Sequence, residues 1–293
     1  MVGRCRDGLV QQPMRILEFD PQPFHTLQFL RAARGEAPRV SDLPFHRASV
    51  DLLPAPLEAL IATSDLQGRE EDLDRAGGPR LLGEALAEEL FRLNAEGLLP
   101  DASATGVILA GDLYARPARE NRLGGSGDVR PVWEGFSQAS RWVAGVPGNH
   151  DVFGDAWSEP ALREFQGRPG VALLDQDVVE FDGLRIGGLS GIIGNPRKPW
   201  RHSEPSYLRA LDELARRRLD LLVLHDGPDA PPNPGEGLPA ARTVLESCRP
   251  MLVIRGHKFW KEPVGTLSNG TQVLNVDSRV VVISGKFPDL DPS

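Results

Sequence analysis

The chain of 293 residues is long enough to bury a full core, and its 40% hydrophobic and 25% charged composition is that of a soluble globular protein. A formal net charge of −8 excludes broad electrostatic binding to nucleic acid or anionic membrane, though not a local basic patch. Cys5 and Cys248 form no Cys-x-x-Cys pair, no window holds the roughly 18 apolar residues of a membrane span, and no apolar signal segment is evident. Zinc ribbons, disulfide frameworks and membrane helices therefore drop out, and a reducing cytoplasm is the expected setting.

Residues 1–55 read differently from the rest and are expected to be an N-terminal extension packed on a main domain at 56–286, with a frayed tail at 287–293. Within the extension, residues 14–20 suggest a short strand and 24–36 a short helix ending at Gly35. The proline-punctuated stretch 37–56 reads as a loop. From residue 57 the pattern is regular. LEALIAT (57–63) is a continuous apolar run of the kind buried on both faces of a sheet. A helix is predicted over 79–96, with Leu82, Leu86, Leu90 and Leu93 at helical spacing and Gly97 as its stop. TGVILA (105–110) is the next strand. A helix follows from Pro131, then a strand over 142–148. Residues 171–190 read as a hairpin turning at Asp182-Gly183. Helices at 206–218 and 239–250 alternate with strands at 219–225 and 251–257. The stretches 265–276 and 279–285 read as closing antiparallel strands around the Asn269-Gly270 turn. Strands alternating with helices and ending in hairpins define an α/β layered domain.

In such folds, ligands bind beyond the carboxyl ends of the strands. The residues there are Asp65 and Gln67 (SDLQG), Asp112 (GD), Asn149 and His150 (GNHD), His225 (LH) and His257 (GH). Singly, each has an ordinary explanation as a turn, cap or core residue. Together they form a set of oxygen and nitrogen donors suited to manganese, iron, zinc or magnesium. A carboxylate such as Asp112 can bridge two ions about 3.5–4 Å apart, an arrangement that clamps a phosphate.

These motifs, in this order and separated by strand–helix units, resemble the calcineurin-like metallophosphoesterase superfamily over roughly residues 58–285. The resemblance implies a β-sandwich flanked by helices and a dinuclear metal site, with manganese ahead of iron, zinc or magnesium. It implies Asp65, Gln67 and Asp112 at the first metal, and Asp112, Asn149, His225 and His257 at the second. His150 matches the residue that faces the scissile phosphate and assists the leaving group. Two positions depart from the pattern. Gln67 stands where most members have His, and Phe259 stands where many have a second His. Diadenosine tetraphosphatases and Ser/Thr phosphatases lack that second His as well, and several relatives in that branch place an Asp downstream, as Asp277 is placed here. Gln67 can still donate a carbonyl oxygen. The expectation is an active enzyme with a weaker first metal, and with Asp277 as a direct or water-mediated ligand.

Two basic loops are candidate substrate contacts. One holds Arg197, Lys198, Trp200 and Arg201, for a second phosphate and a base. The other follows Asp112 and holds Arg116, Arg119 and Arg122. Trp260 and Lys261 read as packing at the edge of the site. The expected reaction is hydrolysis of a small phosphorylated metabolite or nucleotide by metal-bound hydroxide, with no membrane partner and without nucleic acid as the favoured one. The alternatives are a phosphodiesterase or nuclease on the same scaffold, or a degenerate subunit that binds a protein partner through residues 1–55.

Overall fold

Apolar runs at strand spacing become the inner strands of two stacked sheets. The structure, a computed structural model, describes residues 13–31, 38–71, 78–116, 125–154 and 159–285. Its elements begin with β1 (Ile16–Phe19), β2 (His25–Arg31), β3 (Arg39–Val50), β4 (Ala59–Thr63), α1 (Leu82–Ala95) and β5 (Thr105–Leu109). They continue with β6 (Gly127–Asp128), α2 (Arg130–Gln138), β7 (Trp142–Gly145), β8 (Asp151–Val152), α3 (Glu159–Gln166), β9 (Val171–Leu173), β10 (Asp177–Phe181) and β11 (Leu184–Leu189). The rest are β12 (Ile192–Ile193), β13 (Arg201–His202), α4 (Glu204–Ala215), β14 (Leu221–Leu224), α5 (Pro239–Glu246), β15 (Leu252–Arg255), β16 (Val264–Thr266), β17 (Gln272–Asn275) and β18 (Val280–Ser284).

An eight-stranded sheet runs β1-β3-β18-β4-β5-β7-β9 with β2 paired to β3, and a six-stranded sheet runs β10-β11-β14-β15-β17-β16. β4, β5, β7 and β9 are mutually parallel, as are β11, β14, β15 and β17. Alternate side chains of each central strand point to opposite faces. Leu60, Ala62 and Ile108 of the first sheet therefore meet Leu221, Val223 and Ile254 of the second. On the outer face of the first sheet, Ile61, Val107 and Val143 pack under Leu86, Leu90, Trp133 and Phe136 of α1 and α2. On the outer face of the second, Leu222, Leu224 and Val253 pack under Tyr207, Leu211 and Leu245 of α4 and α5. The result is the expected α/β sandwich flanked by helices.

Three readings change. Residues 25–31 are a strand, and so are residues 39–50. Leu27 and Phe29 alternate with Thr26 and Gln28, a period of two that the Leu30-Arg31 end masks, while Pro44 makes β3 look like a loop. These strands are part of the first sheet itself, because β3 pairs in parallel with β18 and carries β1 and β2 on its other edge and flank. Residues 280–284 do not close on the Asn269-Gly270 hairpin, which joins only β16 and β17. They cross to the other sheet and lie between β3 and β4. α3 was not anticipated; at eight residues its pattern is short. The expected tail at 287–293 lies outside the described residues. No helix among the described residues is long and apolar enough to cross a membrane.

Candidate active site

The carboxyl ends of both parallel runs face the same cleft. β4, β5 and β7 deliver Asp65, Asp112 and Asn149, while β14, β15 and β17 deliver His225, His257 and Asp277. The turns that do this are tight. Asp65, Asp112 and His257 hold φ angles of 53°, 56° and 69°, in the left-handed region that non-glycine residues seldom occupy. Each is fixed by a hydrogen bond into a neighbouring motif. The His257 N–H donates to Asp65 Oδ2 at 2.8 Å, and the His150 N–H donates to Asp112 Oδ1 at 2.9 Å. Asp151 ties the second and third motifs together. Its carboxylate accepts from the N–H groups of Asp112, Leu113 and Gly148 at 2.8–2.9 Å. Gly148 is glycine because a Cβ there would lie 2.1 Å from Asp112 Oδ1.

Asp112 is the centre of the cluster. Its Oδ2 accepts from Gln67 Nε2 at 2.9 Å and lies 3.4 Å from His225 Nε2. Ligand atoms of Asp112, His225 and His257 fall within 4.8 Å of one another. His225 donates from Nδ1 to the Ala110 carbonyl at 2.8 Å, which orients the ring and turns Nε2 to the cluster. With Gln67 Nε2 committed to Asp112, its Oε1 is the amide atom with lone pairs to offer.

The electrostatics describe a site built for cations. Burial opposes charge on Asp112, but His225 and His150 bring its carboxyl down to about 2. Against the same cost of burial, Asp112 and Asp65 carry the His225 imidazole up to about 10. Burial, and then the charge on His225, press His257 down to about 3. Burial and then Asp277 push Asp65 well above its ordinary value, and burial raises Asp277 as well. Burial and Asp112 lift Asp151 to about 7, against the N–H donors that favour its charged form. A cation bound among these groups would balance the carboxylates that the charge on His225, 3.4 Å from Asp112, otherwise faces.

Two buried polar atoms here have no partner, His225 Nε2 and Asn149 Oδ1. Buried polar atoms are normally satisfied, and both are of the type that ligates a divalent cation. The residues present therefore fit a metal. Asp65, Gln67, Asp112, His150, His257 and Asp277 line one cavity of about 360 Å³. His150 donates from Nδ1 to the Gly125 carbonyl at 2.7 Å, leaving Nε2 for the cavity. Asp277 sits beside Asp65 through a bridge between Ser64 and Asp277, and accepts from Ser278 Oγ at 2.7 Å.

Other candidates lie elsewhere. Trp200 is buried in the helix-side core, donates from Nε1 to the Asp151 carbonyl at 2.9 Å, and meets Phe153 edge-on, so it is not placed to stack on a base. Arg197 and Lys198 are exposed, and neither they nor Arg201 are among the described residues lining the cavity. Arg116 packs its side chain against Gly125, while Arg119 and Arg122 fall outside the described residues. Trp260 is buried, and Phe259 is 58% exposed beneath the Arg279 guanidinium. His25, His46 and His202 contact Glu89, Asp20 and Ser190, away from the cluster. Sequence reasoning missed Phe29, Arg31, Ser41 and Asp42, which line the cavity from the β2–β3 hairpin. The alternation in residues 25–30 was the signal that could have found them.

The family model for calcineurin-like phosphoesterases matches residues 60–259, and the chain belongs to that family. It is a metallophosphoesterase, an enzyme that hydrolyses phosphoesters with the help of metal ions. No curated protein matches the chain in sequence. Among solved structures, a Thermus thermophilus protein is 19% identical over 75% of this chain and 88% of its own, with a TM-score of 0.49. A dimetal phosphatase from Danio rerio is 16% identical over 75% of this chain and 87% of its own, with a TM-score of 0.43.

Proposed function

We propose that the chain hydrolyses a small phosphorylated metabolite or nucleotide with two divalent cations, manganese foremost. Asp65, Gln67 and Asp112 would hold one cation, assisted by Asp277, and Asp112, Asn149, His225 and His257 the other. The unpartnered His225 Nε2 and Asn149 Oδ1 carry this reading, since a buried apolar or hydrogen-bonded core would not leave them bare. Bound cations of this kind neutralise phosphoryl oxygens and acidify water. The chain's own residues do the rest. Asp112, held by Gln67 and the His150 N–H, fixes the centre of the site. His150, anchored through Nδ1, presents Nε2 to the departing oxygen and delivers a proton there. The cavity of about 360 Å³ suits a compact substrate better than duplex nucleic acid.

The test is turnover of an alkyl phosphate and of p-nitrophenyl phosphate, each with manganese, by wild type and His150→Ala. The alkyl ester, with its basic leaving oxygen, should lose about 10²–10⁴-fold in kcat. The p-nitrophenyl ester should lose much less, because its leaving group departs without a proton. Equal losses on both substrates would remove His150 from that role. Preference for bis-p-nitrophenyl phosphate would shift the reading to a diesterase.

A further inference from the structure

The cavity has a wall that the metal motifs do not supply. Phe29 and Arg31 of β2, with Ser41 and Asp42 of β3, line the same space as Asp65, Asp112 and His150. This hairpin is clamped to the first motif. The Leu30 N–H donates to the Arg69 carbonyl at 2.7 Å, and the Arg69 N–H donates back to the Leu30 carbonyl at 3.0 Å. A Cβ on Gly68 would lie 2.2 Å from Cδ2 of the Phe29 ring, so the glycine of SDLQG is the seat on which the hairpin rests. Residues two apart on a strand share a face. Arg31 therefore leaves β2 on the side where Phe29 meets the motif loop.

Arg31 is the one lining residue with a permanent positive charge among those described; Asp42, Asp65, Asp112 and Asp277 are acidic. Its side chain makes no hydrogen bond or ion pair with described residues, although Asp42 lines the same cavity. It is exposed, so this costs nothing in the free protein. A guanidinium without a partner among the described residues, at the mouth of a phosphoester site, has one evident use. Its planar fork matches the oxygens of a phosphate or carboxylate in pairs.

We infer that the β2–β3 hairpin is the substrate-recognition wall and that Arg31 grips a second anionic group of the substrate, remote from the scissile phosphoryl. The inference rests on the metal site proposed above and adds the substrate class: a phosphorylated compound with a further phosphate or carboxylate close to the reacting one. It also gives Phe29 and Gly68 a purpose, which is to hold that wall at a fixed distance from Gln67.

The experiment uses three non-hydrolysable probes: methylphosphonate, phosphonoacetate and methylenebisphosphonate. Each is titrated calorimetrically into manganese-loaded wild type, Arg31→Ala and Arg31→Lys at constant free manganese. Methylphosphonate should bind all three proteins alike. A two-anion probe should bind wild type about tenfold or more tighter than methylphosphonate, lose that advantage in Arg31→Ala and keep part of it in Arg31→Lys. Whichever of phosphonoacetate and methylenebisphosphonate shows the larger Arg31-dependent advantage identifies the second group as carboxylate or phosphate. Thermal unfolding should be unchanged in both variants, since the Arg31 side chain is exposed and bonds to no described residue. The same advantage in Arg31→Ala as in wild type, with manganese and methylphosphonate still bound, would overturn this inference alone. Absence of manganese from wild type would overturn it together with the metal site.

Discussion

Each ligand turn depends on its neighbour. Asp65, Asp112 and His257 hold strained backbone that persists because another motif bonds to it. Replacing Asp112 by Asn keeps the shape and removes the charge at the centre of the cluster, and His225→Ala removes the imidazole whose Nε2 is without a hydrogen-bond partner. Either variant should lower manganese occupancy and cut turnover by more than about 100-fold, beyond the cost of altering an outer partner. Elemental analysis and initial rates read both. A metal bound at His225 requires the neutral imidazole, whereas Asp112 and Asp65 favour its protonated form in the free protein. Manganese binding should therefore release protons and weaken as pH falls, which calorimetry in buffers of different ionisation enthalpy would detect. In the proposed ligand set Gln67→His would supply a stronger ligand to the first metal and should raise its occupancy at limiting manganese. The clustering of Asp112, His225 and His257 was legible because strand-end motifs keep their spacing in sequence. Trp200 was misread because an aromatic beside arginines looks alike whether its ring faces solvent or core. Arg31 was invisible because its relevance comes from a pairing between positions 39 residues apart, Leu30 with Arg69.

At the scale of elements, parallel strands announced themselves as unbroken apolar runs, and the β10–β11 hairpin by Asp182-Gly183. Both turn residues hold positive φ, as a two-residue turn of this kind requires. The same Asp182 joins the sheets: its carboxylate accepts from Trp142 Nε1 at 2.7 Å and from the Arg141 guanidinium at 2.8 and 3.0 Å. These bonds hold its carboxyl below the ordinary range, Arg141 contributing most. A depressed acid contributes stability above its unfolded value, lost as pH falls through the folded one. Wild type should therefore lose stability on acidification below about pH 4, and Asp182→Asn should flatten that part of the profile in chemical denaturation. The N-terminal strands were the illegible part. Arg39–Val50 alternates, but its proline and its place before the first apolar run disguise a strand whose partner, β18, lies at the far end of the chain. Removing residues 1–55 would strip β3 from β18, delete the buried Leu43, Phe45, Ala48 and Val50, and leave Val280, Val281, Val282 and Ile283 of β18 without their neighbours on that side. The truncated chain should be insoluble or unfolded by circular dichroism, so truncation cannot by itself separate a docking role from a folding one.

At the scale of the molecule, two parallel runs converge at their carboxyl edges and concentrate Asp65, Asp112 and Asp277 in one cavity. A cation bound among these carboxylates would offset their mutual repulsion. Chelation should lower the melting temperature and excess manganese restore it, because a ligand that binds only the native state stabilises it by mass action. The most direct test of the whole account is manganese stoichiometry by elemental analysis of the full chain, paired with turnover of a phosphomonoester. The account predicts two ions per chain at saturation, the first site filling less tightly, and turnover that Asp112→Asn abolishes. One ion or none at saturating manganese, with no turnover of monoester or diester, would contradict it and leave a binding subunit on a phosphoesterase fold.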